Sequence, residues 1–181
     1  MWQLYRAVLR TGDHRLLGYV DAGPRLMEHA RIGHHLVQGI ERLLTEPARV
    51  TWAGRDAQRP RLGENLYRTA GSVAALRPPE HGAVGRYLLN HDLRIFVDKA
   101  TVLENEARHR IHPLPLLTAE PTPDPGRTVG DRTLLGSWAH ALISVRDTVP
   151  KGYEQRKFDL VERLSRAQPG ARACGGGPAR G

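Results

Sequence analysis

Five prolines fall between Ile111 and Gly130, at positions 113, 115, 121, 123 and 125. Each fixes φ and removes a backbone donor, so the stretch reads as one long loop of extended, polyproline-like backbone. The same punctuation runs through the chain: 19 Gly and 13 Pro make 32 of 181 residues. That is above the usual combined share of about 12% and restricts the chain to short elements joined by many turns. With 40% hydrophobic and 25% charged residues, one core of ordinary size is within reach.

Between these breaks the pattern alternates. Leu4, Arg6 and Val8, then Leu16 and Tyr19, predict two short strands over Leu4–Val20, and Gly12-Asp13 supplies hairpin chemistry between them. Pro24 can open a helix, and Leu26, Ala30, Gly33, Val37, Ile40 and Leu44 form one stripe up to Pro47, which predicts a helix over Pro24–Leu44. A strand is expected at Arg49–Trp52, and a weaker helix through Leu66, Ala70, Val73 and Ala74 ends before Pro78-Pro79. Arg86–Leu89 and Leu93–Val97 flank Asn90-His91-Asp92 as a second hairpin. Val102–Arg110 can add a helical turn, Leu134–Val145 is apolar enough for a buried strand, which periodicity alone does not separate from a buried helix, and Phe158, Val161 and Leu164 mark a closing helix over Tyr153–Ser165. Residues 1–166 are therefore read as one domain and 167–181 as a disordered tail rich in Arg, Gly and Pro.

The strings Leu89-Asn-His-Asp-Leu-Arg-Ile-Phe-Val-Asp98, His112-Pro-Leu-Pro-Leu-Leu-Thr-Ala-Glu120, Gly136-Ser-Trp-Ala139 and Ile143-Ser-Val145 resemble a family of uncharacterised proteins of high-GC actinobacteria. The resemblance implies no particular activity and transfers no site residues. Members carry a Gly-rich stretch where this chain has Pro121-Thr-Pro-Asp-Pro125. An internal echo is also present: Val8–Asp21 and Leu88–Asp98 share strand, polar turn, strand and Val-Asp, and Trp52-Ala53 recurs as Trp138-Ala139. If it is a duplication, two hairpin-plus-helix units share one sheet.

The net charge of +8 invites a phosphate-binding reading. Lys99, Lys151 and Lys157 are the only lysines, so 24 of the 27 basic residues are arginine, as a GC-rich coding sequence would produce. Arg166, Arg172 and Arg180 lie in the tail, which leaves +5 elsewhere, and aromatics for base stacking are only 6%. Arg6, Arg10, Arg15, Arg86 and Arg94 would contact phosphate if the two hairpins presented them on one face.

Catalytic signatures are sparse. His29, His34 and His35 lack the i, i+4 spacing of a helical zinc pair, since five residues rotate the chain by about 140° net. His91-Asp92 and the pair His109 and His112 are spaced for metal binding, but sit at a turn and beside prolines; no metal and no cofactor are expected. Ser72, Ser137, Ser144 and Ser165 lie outside any nucleophile elbow, and the single cysteine, Cys174, has no fixed base beside it. An enzyme would need a dispersed set such as His91, Asp92, Asp98 and His112. The segment holding His112, Leu114, Leu116 and Leu117 instead reads as a low-entropy docking loop for a protein partner.

The reading is an α+β domain: a mostly antiparallel sheet from two β-hairpins, packed by two main helices. Its expected function is that of a small non-enzymatic interaction or accessory protein. A basic nucleic-acid-binding module and a hydrolase with a dispersed His/Asp site are the alternatives. Residues 1–15 lack the apolar core of a signal peptide, so a cytoplasmic location with no membrane contact is expected.

Overall fold

A computed structural model describes residues 3–57, 64–104, 108–120 and 134–158. The chain is α+β, and the described residues form seven strands in one mostly antiparallel sheet: β1 (Leu4–Arg10), β2 (Leu16–Pro24), β3 (Ala48–Gly54), β4 (Tyr87–Asn90), β5 (Ile95–Asp98), β6 (Leu142–Arg146) and β7 (Glu154–Gln155). Their order is β2-β1-β3-β6-β4-β5-β7, and only β7 joins in parallel, on β5.

Both expected hairpins form. In the first, the Thr11 hydroxyl bonds Asp13 and accepts from the Arg15 amide at 3.0 Å, and His14 takes the left-handed conformation at φ 70°. In the second, the Asn90 side chain accepts from the Leu93 amide at 3.1 Å and Arg94 is left-handed at φ 51°. The turns are therefore held by side-chain oxygens closing on backbone N–H groups, as polar turn residues do.

The same topology occurs twice. Hairpin β1–β2 is followed by a helical crossover and by β3 beside β1; hairpin β4–β5 is followed by another crossover and by β6 beside β4. β3 and β6 then pair antiparallel. The Trp-Ala echo does not follow this repeat, because Trp52 lies within β3 whereas Trp138 lies in the turn before β6.

The expected continuous helix over Pro24–Leu44 is two helices, α1 (Leu26–His29) and α2 (His35–Leu43). β2 runs on through Pro24, so Pro24 ends a strand, and Arg25 turns the chain at φ 56°. Between the helices the backbone is recruited elsewhere: Ile32 N donates to Arg110 O at 2.9 Å, His112 N donates to Ala30 O at 3.0 Å, and Gly33 adopts φ +90°. The stripe of Val37, Ile40 and Leu44 is buried as the pattern required.

The first prolines of the expected loop form a helix, α4 (Pro113–Thr118). Pro113 and Pro115 occupy its first turn, where N–H groups have no intrahelical partner, so their missing donors cost nothing. His112 caps it, its Nδ1 accepting from the Leu114 amide at 3.1 Å. Residues 121–130 of that loop lie outside the described residues.

Four further expectations shift. α3 (Leu66–Ala70) stops at Gly71 rather than reaching Ala74. Leu134–His140 is a turn region, with Gly136 and His140 at positive φ, and only Leu142–Arg146 is strand. Residues 153–158 hold β7 instead of a closing helix, and 159–166 and the tail lie outside the described residues. At Val102–Arg110 a 3₁₀ turn precedes the segment at Lys99–Thr101, and Glu104 bridges Arg110.

The main core lies on one face of the sheet, where Leu26, Val37, Ile40, Leu44, Leu114, Leu116 and Leu117 meet Ala7, Leu9, Val50, Trp52, Leu88, Ile143 and Val145. On the other face a smaller cluster of Val8, Ala53, Leu66 and Ala70 seats α3. No helix among the described residues is long and apolar enough to cross a membrane.

Candidate anion-binding cleft

The four residues of the dispersed His/Asp set do not converge. His91 is held between the Tyr153 hydroxyl and Ser144 Oγ, each 2.8 Å from a ring nitrogen, and partial burial followed by Arg146 lowers its pKa. Asp92 accepts from Arg49 at 2.9 Å and from the Leu142 amide at 3.2 Å. Asp98 lies opposite Tyr87, four positions along β4 from His91, so about 13 Å separates the two ends of the hairpin. There Asp98 takes a two-pronged pair from Arg86 at 2.9 and 2.6 Å, and that bond holds its carboxyl below the usual range.

The docking-loop residues are not a surface. Leu114, Leu116, Leu117 and His112 are all buried, because α4 is sealed into the main core.

The arginines do not share a face either. Arg6 is clamped between the Tyr19 and Tyr67 rings at 4.2 and 4.3 Å and paired with Asp21 at 2.9 Å. Arg10 is buried and reaches His140 Nδ1 at 2.9 Å. Arg86 is spent on Asp98, while Arg15 and Arg94 are exposed at hairpin tips. β1 and β4 are separated by β3 and β6, so the two hairpins' cations stay about 14 Å apart.

What the structure does assemble is a buried ionic triad. Glu41 on α2 accepts from Lys99 and, at 2.9 Å, from His112 Nε2. Because His112 Nδ1 accepts a backbone N–H, the ring proton sits on Nε2 and points to the carboxylate. Burial alone would raise the Glu41 pKa; His112 and Lys99 outweigh it and the carboxyl stays charged. Glu41 was legible as a charge four residues after Val37 on an otherwise apolar stripe, which signals a buried partner.

Above the triad a cleft of about 240 Å³ is bordered by Gln38, Arg86, Lys99, Arg110 and His112. It adjoins a second, of about 290 Å³, lined by Arg31, Ile32, Glu104, Arg108, His109 and Arg110; Ile32 and Arg110 belong to both. The segments meeting here are laced by backbone bonds, with Arg31 bridging Ile111 and Glu104 bridging Arg110. Arg110 donates to Val102 O at 3.0 Å and to Lys99 O, which fixes its guanidinium. Arg108 sits at φ 57°, a left-handed conformation unfavourable for a long side chain. Arg31 and Arg108 are exposed and make no ion pair or side-chain hydrogen bond among the described residues. Nothing in the sequence distinguished Arg31, Arg108 and Arg110, since the segments joining them are paired only in the folded chain.

A second polar group lies on the opposite face of the sheet. Arg10 Nη2 and Thr51 Oγ1 meet His140 Nδ1 at 2.9 and 3.0 Å. A guanidinium only donates, so Nδ1 accepts and the ring proton is on Nε2, 3.8 Å from Glu120 Oε1. Glu120 is 3% exposed and neither carboxylate oxygen has a hydrogen-bond partner among the described residues. Burial pushes its pKa up to about 7, against the pull of Arg10. Among the described residues no group of three His, Cys, Asp or Glu is placed to hold a metal ion.

Comparison of the chain with protein-family models, with curated proteins and with solved structures found no match.

Proposed function

We propose that this is a small non-enzymatic accessory protein that binds an acidic group of a partner protein in the adjoining clefts between α2, Lys99–Thr101, Glu104 and Arg108–His112. The observation that carries this reading is the pair of exposed guanidinium groups, Arg31 and Arg108, which have no ion-pair partner among the described residues, beside a third, Arg110, that the backbone holds in place. Charges on exposed surfaces are ordinarily dispersed among opposite charges; among the described residues that line this cleft, Arg31, Arg108 and Arg110 accompany one carboxylate, Glu104. The side chains that could do acid–base chemistry are meanwhile occupied internally: His112 by Glu41, Asp98 by Arg86, Asp92 by Arg49 and His91 by Ser144 and Tyr153.

The test is fluorescence anisotropy of the full chain with a labelled Glu-rich peptide and with labelled DNA and RNA, across a salt series. Peptide binding that disappears in the double variant Arg31→Ala, Arg108→Ala supports the reading. Three cations account for a salt slope no steeper than about −3 on nucleic acid. A steeper slope, unchanged in the double variant, overturns the cleft reading in favour of a nucleic-acid module.

A further inference from the structure

We infer that the inner cleft, of about 240 Å³ above the triad, takes a carboxamide side chain of the partner; this rests on the reading of the adjoining clefts as the partner's seat and names a second group recognised there. The first ground is an unspent acceptor beside a donor. Lys99 and His112 both donate to Glu41 Oε1. Glu41 Oε2 accepts no hydrogen bond among the described residues, yet it still touches the cleft that Glu41 lines. Lys99 Nζ is held against that same carboxylate and carries three N–H groups, of which Glu41 takes one. The floor is built into the fold, since Glu41, Lys99 and His112 are 2%, 9% and 1% exposed.

Gln38 is the second ground. It stands three residues before Glu41 on α2, so the two share a face of the helix, and it lines the same cleft. Its amide makes no hydrogen bond among the described residues and offers a further donor and acceptor. The third ground is the ligand chemistry that this pattern selects. A carboxylate has no N–H for Glu41 Oε2 and would set like charge against it, while an ammonium or guanidinium has no acceptor for Lys99. A lone hydroxyl answers both with its one oxygen and leaves Gln38 unpaired. A primary carboxamide carries acceptor and donors in one plane: its oxygen accepts from Lys99, and its two N–H groups donate to Glu41 Oε2 and Gln38 Oε1. The cleft is smaller than the roughly 300 Å³ at which sites for drug-sized ligands begin, which suits one side chain. Ile32 and Arg110 border both clefts, so a segment whose acidic group lies by Arg31 and Arg108 can seat a neighbouring Gln or Asn on this floor.

The decisive experiment is anisotropy on the full chain with a labelled Glu-rich peptide that carries one Gln, and with its Gln→Met and Gln→Ser counterparts. The expected result is a Gln peptide bound about tenfold tighter than either counterpart, as a hydrogen bond to a charged group supplies. That ratio should shrink in Gln38→Leu, where the half-buried side chain has no internal bond to lose, and vanish in the double variant Glu41→Leu, Lys99→Met, whose fold is checked by circular dichroism. The double variant Arg31→Ala, Arg108→Ala should instead weaken all three peptides alike and keep the ratio. Free glutamine binding as tightly as the Gln peptide supports the same carboxamide chemistry from a small-molecule source. Equal binding of the three peptides, or a Gln preference unchanged in both inner-cleft variants, leaves the proposed function standing and overturns the carboxamide inference. A Ser peptide that matches the Gln peptide overturns it in favour of a hydroxyl, and binding of no peptide overturns both readings.

Discussion

Replacing Glu120 by Gln should make the protein more stable at neutral and alkaline pH, and the size of the effect follows from the burial of that carboxyl. Its pKa is raised from 4.5 to about 7, chiefly by desolvation. A raised carboxyl contributes stability that is fully present below the unfolded value, near 4.5, and lost as pH climbs through about 7. The loss is 2.5 pH units, or about 3 kcal/mol at 1.36 kcal/mol per unit. His29 works in the opposite direction. Burial against Trp52, whose Nε1 donates to its Nε2 at 3.0 Å, lowers its pKa from 6.5 to about 4, so its stabilisation is present above 6.5 and lost on acidification. His34 and His91, also lowered, add to that loss. The opposing windows overlap between pH 4.5 and 6.5, so the wild-type curve is flatter there than either group alone would make it. Subtracting it from the Glu120→Gln curve removes the histidines. The difference, measured by urea unfolding from pH 4 to 8.5, should rise from near zero at pH 4.5 to about 3 kcal/mol at pH 7 and then level off. Two parallel curves would refute the reasoning and would mean that Glu120 is ionised and compensated in the folded state.

Leu116→Ala should cost about 2–5 kcal/mol in urea unfolding, because α4 is core; a docking loop would lose partner binding and little stability. Gly85→Ala should destabilise by roughly 1–3 kcal/mol, since a Cβ there would meet the Arg146 backbone at 2.6 Å, whereas Gly12→Ala, with nothing within 4 Å, should be neutral or better. Lys99→Met should cost about 3–5 kcal/mol by thermal or urea unfolding, leaving buried Glu41 with His112 alone, and Glu41→Gln in that background should recover much of the loss.

Where local chemistry decides structure, the sequence was readable. Asn90 and Thr11 close hairpins with their own side chains, and Val37, Ile40 and Leu44 bury one helical stripe. It misled where a long-range partner overrode the local pattern. The Pro24–Leu44 periodicity is genuine, but Ala30 bonds His112 and Ile32 bonds Arg110, 82 and 78 residues away in sequence, and those bonds cannot coexist with a continuous helix. Prolines 113 and 115 looked like breakers because their position in a helix, not their presence, decides the effect. The cleft was hidden for the same reason as the broken helix. Arg31 and Arg110 become neighbours only through the pairing that interrupts α1 and α2, so no spacing rule within one element could join them.

The repeated topology explains why the cleft lies where it does. β2 and β3 run parallel with β1 between them, and β5 and β6 run parallel with β4 between them, so each unit needs a crossover. Crossovers between parallel strands are right-handed almost without exception. Because β3 and β6 pair antiparallel, the second unit is the first turned half around in the plane of the sheet, and equal handedness then places both crossovers on the same face. Helices α1, α2 and α4 do share that face. Two crossovers meeting over the central strands must satisfy each other's polar groups, and they do so through Arg31 with Ile111, Ala30 with His112, and Glu41 with Lys99 and His112. Among the described residues no crossover helix covers β3 and β6 on the opposite face, where Arg10, Thr51 and His140 meet and α3 packs nearby. The cleft therefore draws on both units, with Arg31 from the first crossover and Arg108 and Arg110 from the second.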